Sequence, residues 1–254
     1  MADLRRPVET NAPAFYAAPR FLGSRRAREW WTVLHPPYTA LHLSLVTIGA
    51  CLSAPVNAVK LVATLGAFLL ALGVGAHSLD ELHGRPLSTT IPAWQLIGAS
   101  VLGIGGAVGL GVVGIVVVSP YLAIFIVVGS VAAVAYNLEL FGGRLHTGPM
   151  LILSWGAFPV LTAYFAQHAT ISAGAVGAAV FGALVTRIQQ QLSTPARALR
   201  RRTRAVHGTI EGLDGTSRPI TAATMLAPLE AALRTLCWMG PVLALTLVLV
   251  RFTS

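Results

Sequence analysis

Charged residues are scarce in this chain of 254 residues: they make up 11% of it, against about 25% in an ordinary soluble domain. Acidic residues number nine, and lysine occurs once, as Lys60. Hydrophobic residues make up 55% of the chain, and its mean hydropathy is +0.71. This shortage of charge excludes an ordinary cytosolic enzyme and a disordered protein, and it predicts a helical membrane protein.

Cysteine is nearly absent as well. Cys51 and Cys237 both lie in apolar segments, so no disulfide framework is expected. The net charge of +9 does not indicate nucleic acid, because the arginines cluster between apolar runs, as the positive-inside rule expects. We therefore expect no nucleic-acid partner, and we expect the basic loops to contact anionic membrane lipids.

The segments without charged residues are long apolar runs. A membrane-spanning helix needs roughly 20 mainly apolar residues, because its backbone must satisfy its own hydrogen bonds in lipid. Seven segments meet this condition, at residues 37–54, 58–78, 92–117, 119–137, 148–167, 171–192 and 232–251. A moderately apolar stretch at 219–234 could be an interfacial helix, a half-span or the lower part of the last helix. The predicted fold is an all-α, polytopic transmembrane helix bundle of about seven to nine spans.

The placement of arginine predicts the orientation. Arginines precede the first span and follow the second, fourth and sixth, whereas the other side carries only Lys60 and Arg251. The arginine-rich side faces the cytoplasm, so the N-terminus is expected there. Residues 1–36 would form a cytoplasmic segment with an interfacial amphipathic anchor around Trp30 and Trp31, and residues 37–254 the transmembrane domain. The Ala- and Arg-rich, Lys-poor composition favours a bacterial inner or plasma membrane.

Glycine is plentiful, with 25 residues. Gly105 and Gly109 form a small-xxx-small pair in the third predicted span. Such pairs let helix backbones approach closely, so we expect this one to pack inside the bundle rather than at a dimer interface.

The most informative segment continues the second span towards its cytoplasmic end. If it is helical, His77, Asp80 and Glu81 share one face by their i, i+3 and i+4 spacing. Carboxylate oxygens are the ligands that Mg²⁺ prefers, and an imidazole beside them could add another ligand. Ionisable groups at the end of a span are costly to bury and are therefore functional candidates. The alternative is a solvated helix end, in which Arg85 pairs with Asp80 or Glu81.

The order of motifs in this region resembles the UbiA superfamily of intramembrane prenyltransferases. In that family an aspartate-rich motif ends the second helix and leads to an Arg-Pro-Leu element, to which Arg85-Pro86-Leu87 is similar. The stretch 136–144 resembles the family's Tyr-Ser-x-x-Leu-x-x-Lys stretch, and the stretch 153–159 resembles its Gly-rich fifth helix. The resemblance covers roughly residues 30–205.

The chain differs from the family in the acidic residues of the two motifs. Asp80 alone matches the first aspartate-rich motif, with Glu81 and His77 as substitutes. The second motif has no counterpart, since no acid occurs between Glu139 and Glu211. Arginines after the sixth span could bind phosphate bidentately in place of part of the metal. The same arginines also fit a plain positive-inside signal.

The resemblance implies an intramembrane enzyme that acts on an isoprenoid diphosphate or a related polyprenyl lipid. The reaction would be prenyl transfer to an acceptor or cyclisation of the allylic cation, at a cytoplasmic-side site on the His-x-x-Asp-Glu segment. Mg²⁺ would be the cofactor. The implied residues are Asp80, Glu81 and Tyr136 for catalysis, Arg85, Arg144, Arg187 and Asn137 for substrate binding, and Asp80, Glu81 and His77 for the metal.

Two other functions stay open. The missing acids fit a non-catalytic subunit of the same fold, which would bind lipid or assemble with a membrane-protein partner or with copies of itself. A small ion- or proton-coupled transporter would use His77 and Asp80 as a relay. Carriers place their sites near the bilayer midplane, however, and these two residues lie at the end of a span.

Overall fold

The computed structural model describes residues 21–52 and 54–253, and 75% of the chain is helical. The helices in this part of the chain are α1 (Arg25–Leu34), α2 (Pro36–Ala50), α3 (Ala58–Leu82), α4 (Ala93–Val117), α5 (Leu122–Asn137), α6 (Gly148–His168), α7 (Ala173–Arg201) and α8 (Ala222–Thr253). Between α7 and α8, β1 (Thr209–Glu211) and β2 (Ser217–Pro219) form a short antiparallel hairpin. Apart from this hairpin, the predicted all-α class is confirmed. Residues 1–20 of the predicted cytoplasmic segment lie outside the described residues.

Four of the described helices are long and apolar enough to cross a membrane, namely α3, α4, α6 and α8. The chain is thus an integral membrane protein. The predicted seven to nine spans are wrong by this measure, and four spans do not fit the UbiA-like fold either. The difference has local causes, because α5 has 16 residues and α2 has 15, fewer than the roughly 20 that the bilayer core requires. In α7 the apolar first half runs into Arg187 and a polar second half.

Helix α2 lies at the centre of the bundle, packed against α6 and α8. Gly49 allows the approach to α6, because a Cβ atom there would collide with the carbonyl oxygen of Val160. At the C-terminus of α2, the Arg251 guanidinium of α8 donates to the carbonyl oxygens of Cys51 (2.9 Å) and Leu52 (3.2 Å). These bonds satisfy carbonyls that a helix end leaves without an intrahelical partner.

Polar contacts mark the two ends of the bundle. At one end, the Lys60 ammonium donates to the carbonyl oxygen of Gln167 (3.2 Å), and the Asn57 backbone N–H donates to the Gln167 side chain (2.9 Å). At the other end, α2 begins while α3, α5 and α7 finish, and α7 finishes with several arginines. We call this second end the basic end.

Helix α1 is amphipathic and packs against α2 and the last turns of α3 at the basic end. The Ser24 hydroxyl caps its N-terminus by accepting from the Ala27 N–H (3.1 Å). Glu29, on the buried side, accepts from the Thr90 hydroxyl (2.7 Å) and from Arg25 Nε (3.0 Å). Through Thr90, α1 is tied to the loop that joins α3 and α4.

We expect this attachment to depend on pH. Burial raises the pKa of Glu29, but hydrogen bonds from Thr90 and Arg25 outweigh burial, so its pKa lies below the usual value. A lowered pKa means that the carboxylate stabilises the fold at neutral pH, and that this stabilisation is lost as the pH falls through the lowered pKa. Amide hydrogen exchange of α1 should therefore accelerate in acid. Glu29→Gln should lack this transition, and the same transition in both proteins would contradict the prediction.

Candidate functional site

Two helices that form the site contain π-helical turns, Leu69–Ala76 within α3 and Leu153–Ala157 within α6. In each, a histidine ring contacts a backbone carbonyl: His77 Nδ1 lies 3.3 Å from the Gly73 oxygen, and His42 Nδ1 lies 2.9 Å from the Trp155 oxygen. Because a carbonyl oxygen can only accept, Nδ1 carries the proton in both rings. π-helical turns are rare, and they occur frequently at functional sites.

Six polar side chains converge at the basic end, and we call them the polar cluster: His35, His77, Asp80, Tyr136, His146 and Arg197. The rings of His35 and His77 lie 4.7 Å apart, and the rings of Tyr136 and His146 stack at 4.4 Å. The cluster draws on the start of α2, the end of α3, the end of α5, the loop after α5 and the last turns of α7. It is therefore assembled entirely by tertiary structure.

Arg197 lies near three of the other groups. It makes the largest favourable electrostatic contribution to the Asp80 carboxylate, and it also acts on Tyr136 and His35. Arg201 follows one turn later on the same helix face and adds a second positive charge near Asp80. Both guanidinium groups therefore lie over the same part of the basic end.

The end of α7 is held in place by an ion pair between Arg200 and Glu230 of α8, both largely buried. This contact leaves Arg197 and Arg201 on the side that faces the polar cluster. Burial, reinforced by the charges of Arg201 and Arg197, lowers the pKa of His35 to about 4. At pH 7 the His35 ring is therefore neutral, and the positive charge of the cluster resides on the arginines.

The loop after α5 closes one side of the cluster. His146 Nδ1 donates to the carbonyl oxygen of Tyr136 (2.9 Å), which holds the imidazole against the phenol ring. Glu139 lies 3.9 Å from His83 and from His146, and all three side chains are partly exposed. Glu139 and His83 thus line the outer rim of the site.

An apolar cavity of about 280 Å³ begins beside the polar cluster and runs between α3, α4, α5 and α6. Ala76 and Trp155 form its end at the cluster, and the Trp155 ring lies 5.0 Å from the ring of Tyr136. Lys60 lines the opposite end. A mostly apolar pocket with a few convergent polar groups is the usual form of a small-molecule site. This one suits a molecule with an anionic head and an apolar tail.

The structure places three of the predicted site residues, His77, Asp80 and Tyr136, in the polar cluster. The others lie elsewhere. Arg85 donates to the carbonyl oxygen of Ile91 (2.6 Å), and Asn137 donates to that of Ala133 in its own helix (2.7 Å). Arg144 and Arg187 are exposed, and within the described ranges neither forms an ion pair. Among residues 21–52 and 54–253, no hydrogen bond or ion pair between side chains joins these four residues to the polar cluster.

Glu81 faces away from the cluster despite its position next to Asp80. Its side chain is fully buried, and the carboxylate accepts from the N–H groups of Leu87 and Thr89 (2.9 Å each) and from the Thr89 hydroxyl (2.8 Å). Three hydrogen bonds occupy most of the roughly four acceptor positions of a carboxylate. Glu81 thus holds the loop after α3 through these hydrogen bonds.

Ligands for Mg²⁺ are few in the polar cluster. Asp80 is the single carboxylate of the polar cluster, and its charged neighbours are arginines. Across residues 21–52 and 54–253, no three His, Cys, Asp or Glu side chains meet as metal ligands. Mg²⁺ is usually held by one or two carboxylates together with water and substrate phosphates in octahedral geometry. The guanidinium groups suit direct binding of an anion instead.

Sequence reasoning did not single out His35 or His146, and it left Arg197 among arginines that fit either phosphate binding or the positive-inside signal. His35 directly precedes Pro36-Pro37, a signal that a helix starts at the membrane edge. Arg197 and Arg201 share a helix face by their spacing, but the positive-inside rule explained them equally well. Only their proximity to Asp80 distinguishes these two arginines from the other arginines at the end of α7 and in the loop after it.

Fold and site together define a class: an α-helical membrane protein in which a basic polar cluster closes one end of an apolar cavity. No protein-family model, no curated protein and no solved structure matches the chain.

Proposed function

We propose that the protein is an intramembrane enzyme that acts on an isoprenoid diphosphate at the polar cluster. The observation that carries this proposal is the contact of Trp155, at the end of the apolar cavity, with Tyr136 of the cluster. A diphosphate at the cluster would place the attached hydrocarbon chain directly in the cavity. An isoprenoid diphosphate combines a strongly anionic head with a long apolar chain, and it therefore suits both parts of the site.

The roles of the cluster residues follow from their chemistry. Arg197 and Arg201 bind phosphate oxygens, because guanidinium groups bind such oxygens in a bidentate manner and stay charged. Asp80 positions Arg197, and the Tyr136 hydroxyl donates a hydrogen bond to the departing diphosphate. Breaking the bond between C1 and oxygen then leaves an allylic cation at the mouth of the cavity, beside Trp155.

The resemblance to the UbiA superfamily supports the same substrate class, through Asp80, the Arg85-Pro86-Leu87 element and Tyr136. In the proposed site, arginine has the charge-neutralising role that metal ions have in that family. The positive-inside rule places the basic end, and with it the site, on the cytoplasmic side of a bacterial membrane.

Titration calorimetry of the detergent-solubilised protein with geranylgeranyl diphosphate tests this proposal. Replacing Arg197 by glutamine should weaken binding at least about tenfold, since a charged hydrogen bond contributes about 1.5–3 kcal/mol. Arg187→Gln is the matched control, because Arg187 is an exposed arginine of the same helix. Affinity should be the same in Mg²⁺ and in EDTA, and Asp80→Asn should still bind.

Three results would overturn parts of the proposal. Binding that requires Mg²⁺ and Asp80 but not Arg197 would replace the arginine site by a metal site. No binding of farnesyl or geranylgeranyl diphosphate would favour a non-catalytic subunit. A flux driven by a pH gradient in liposomes, together with no binding, would favour a transporter.

A further inference from the structure

A groove on the outer surface of the bundle lies between α1 and the beginning of α4, and none of its lining residues belongs to the polar cluster. On α1, Arg26 and Trp30 share one face, because they are four residues apart. On α4, the residues of the groove recur every three to four positions and also share a face. We call this surface the α1–α4 groove, and its lining includes Arg26, Trp30, Trp94, Gln95, Gly98 and Leu102.

One end of the α1–α4 groove is polar and positively charged. The Arg26 guanidinium donates to the side-chain oxygen of Gln95 (2.6 Å), which joins α1 to the first turn of α4. This bond uses one of the five N–H donors of the guanidinium group. The Gln95 amide is neutral, so the positive charge of Arg26 is not cancelled by this partner. Both side chains therefore still have N–H donors for an anion at this end of the groove.

The other two arginines of α1 are held differently. Arg25 pairs with Glu29 on the buried side of the helix. The Arg28 guanidinium donates to the carbonyl oxygens of Leu22 and Gly23, which precede the helix. Of the three arginines of α1, Arg26 is thus the one that lines the groove.

The rest of the α1–α4 groove is apolar and follows the outward face of α4. Gly98 leaves this face open, because a Cβ atom there would meet nothing within 4 Å. Leu102 follows one turn further along and is largely exposed, as is Trp94 at the start of the helix. Trp30 is fixed on the α1 side, since it packs against a buried cluster of Val33, Leu87, Ile91 and Leu96.

The position of α4 gives the depth of the groove in the membrane. This helix is long and apolar enough to cross a membrane, and it begins at Ala93. Its first turn therefore lies near the lipid headgroups, where tryptophan is enriched. Leu102 comes seven residues after Gln95 and lies about 10 Å deeper, at the level of the acyl chains.

We propose that the α1–α4 groove binds one anionic glycerophospholipid from the leaflet at the basic end. The lipid phosphate accepts from Arg26 and from the Gln95 amide, because guanidinium groups bind phosphate oxygens well. One acyl chain lies over Gly98 and against Leu102. A zwitterionic lipid carries its own cation beside the phosphate, so the charge of Arg26 favours a lipid with net negative charge. This site does not depend on the proposed function at the polar cluster.

Native mass spectrometry of the full-length, delipidated protein in detergent tests the proposal with dioleoyl phosphatidylglycerol and dioleoyl phosphatidylcholine. The first phosphatidylglycerol should bind about fivefold more tightly than phosphatidylcholine, as expected for one basic residue beside an anionic headgroup. Arg26→Gln should remove this preference. Arg28→Gln is the matched control, because it removes the same charge from the same helix outside the groove, and it should keep the preference.

A second pair of variants tests the apolar part of the groove. Gly98→Leu fills the groove without displacing a neighbour, so it should weaken binding of the first phosphatidylglycerol to the level of phosphatidylcholine. Gly105→Leu is its control. A Cβ atom at position 105 also meets nothing within 4 Å, but Gly105 does not line the groove, so the affinity should stay unchanged. The thermal unfolding midpoint of each variant is compared with that of the wild type beforehand.

Four results would overturn the proposal. Equal affinity for the two lipids would show that the groove does not recognise an anionic headgroup. Equal losses in Arg26→Gln and Arg28→Gln would assign the preference to the overall charge of α1. Unchanged binding in Gly98→Leu would place the acyl chain elsewhere. Displacement of phosphatidylglycerol by millimolar glycerol 3-phosphate would identify a soluble phosphate as the ligand, whereas a lipid held by its acyl chain should stay bound.

Discussion

Replacing Glu81 by glutamine is expected to destabilise the protein by about 2–4 kcal/mol, the largest loss for any single polar group at the site. The carboxylate is fully buried and accepts three hydrogen bonds from Leu87 and Thr89. A glutamine would turn an N–H₂ group towards donors, so that at least one buried donor loses its acceptor. Thermal unfolding in detergent should show a midpoint lowered by about 5–10 °C.

Asp80→Asn is the matched control, since it removes the same charge one residue earlier. Asp80 is half-buried in the polar cluster and holds no loop, so its replacement should change stability by less than about 1 kcal/mol. Under the proposed function, turnover of the isoprenoid diphosphate should fall, because Arg197 loses the negative charge of the nearby Asp80. Equal destabilisation by the two substitutions would contradict the assignment of separate roles to these neighbours.

The second large effect is expected at Gly182, where α7 crosses α6. A Cβ atom at this position would lie 2.5 Å from the carbonyl oxygen of Gly156, and one at Gly156 would lie 2.6 Å from that of Gly182. Gly182→Ala must push the two backbones apart, at a cost of about 1–3 kcal/mol. Gly156 adjoins Trp155, so we also expect weaker binding of geranylgeranyl diphosphate.

Gly177 provides the control for this substitution. It lies in the same helix, but a Cβ atom there would meet nothing within 4 Å. Gly177→Ala should therefore be neutral or stabilise the helix by up to about 1 kcal/mol. The measurement is the midpoint of thermal unfolding of both variants in the same detergent. A Gly182→Ala protein as stable as the wild type would show that the backbones of α6 and α7 are not in close contact at this position.

The glycines also show where sequence reasoning fails. Gly105 and Gly109 have the spacing of a packing motif, yet a Cβ atom at either would meet nothing within 4 Å, because this face of α4 points outward. Gly103, between two apolar residues, makes the close backbone contact with α3: a Cβ there would lie 2.6 Å from the Leu70 carbonyl oxygen. Spacing identifies a helix face, but the face that is buried depends on the neighbouring helix.

Asp80 and Glu81 show the same limit of an argument from spacing. Their spacing from His77 predicts one shared face, and on that basis both were expected to bind a metal. Successive residues on a helix are about 100° apart, and this angle is enough for Asp80 to face α7 while Glu81 faces the loop that folds back behind it. That loop donates the hydrogen bonds that the Glu81 carboxylate accepts. Arg197 lies near Asp80.

By itself, the sequence determined the all-α class, insertion into a membrane and the segregation of arginine to one end. These properties follow from local composition, since a run of apolar residues must form a helix wherever water is absent. Tertiary structure alone decided which arginines meet Asp80, which carboxylate is structural, and where the apolar cavity meets the polar cluster. Each of these depends on contacts between helices that are distant in sequence, and no local pattern encodes such contacts.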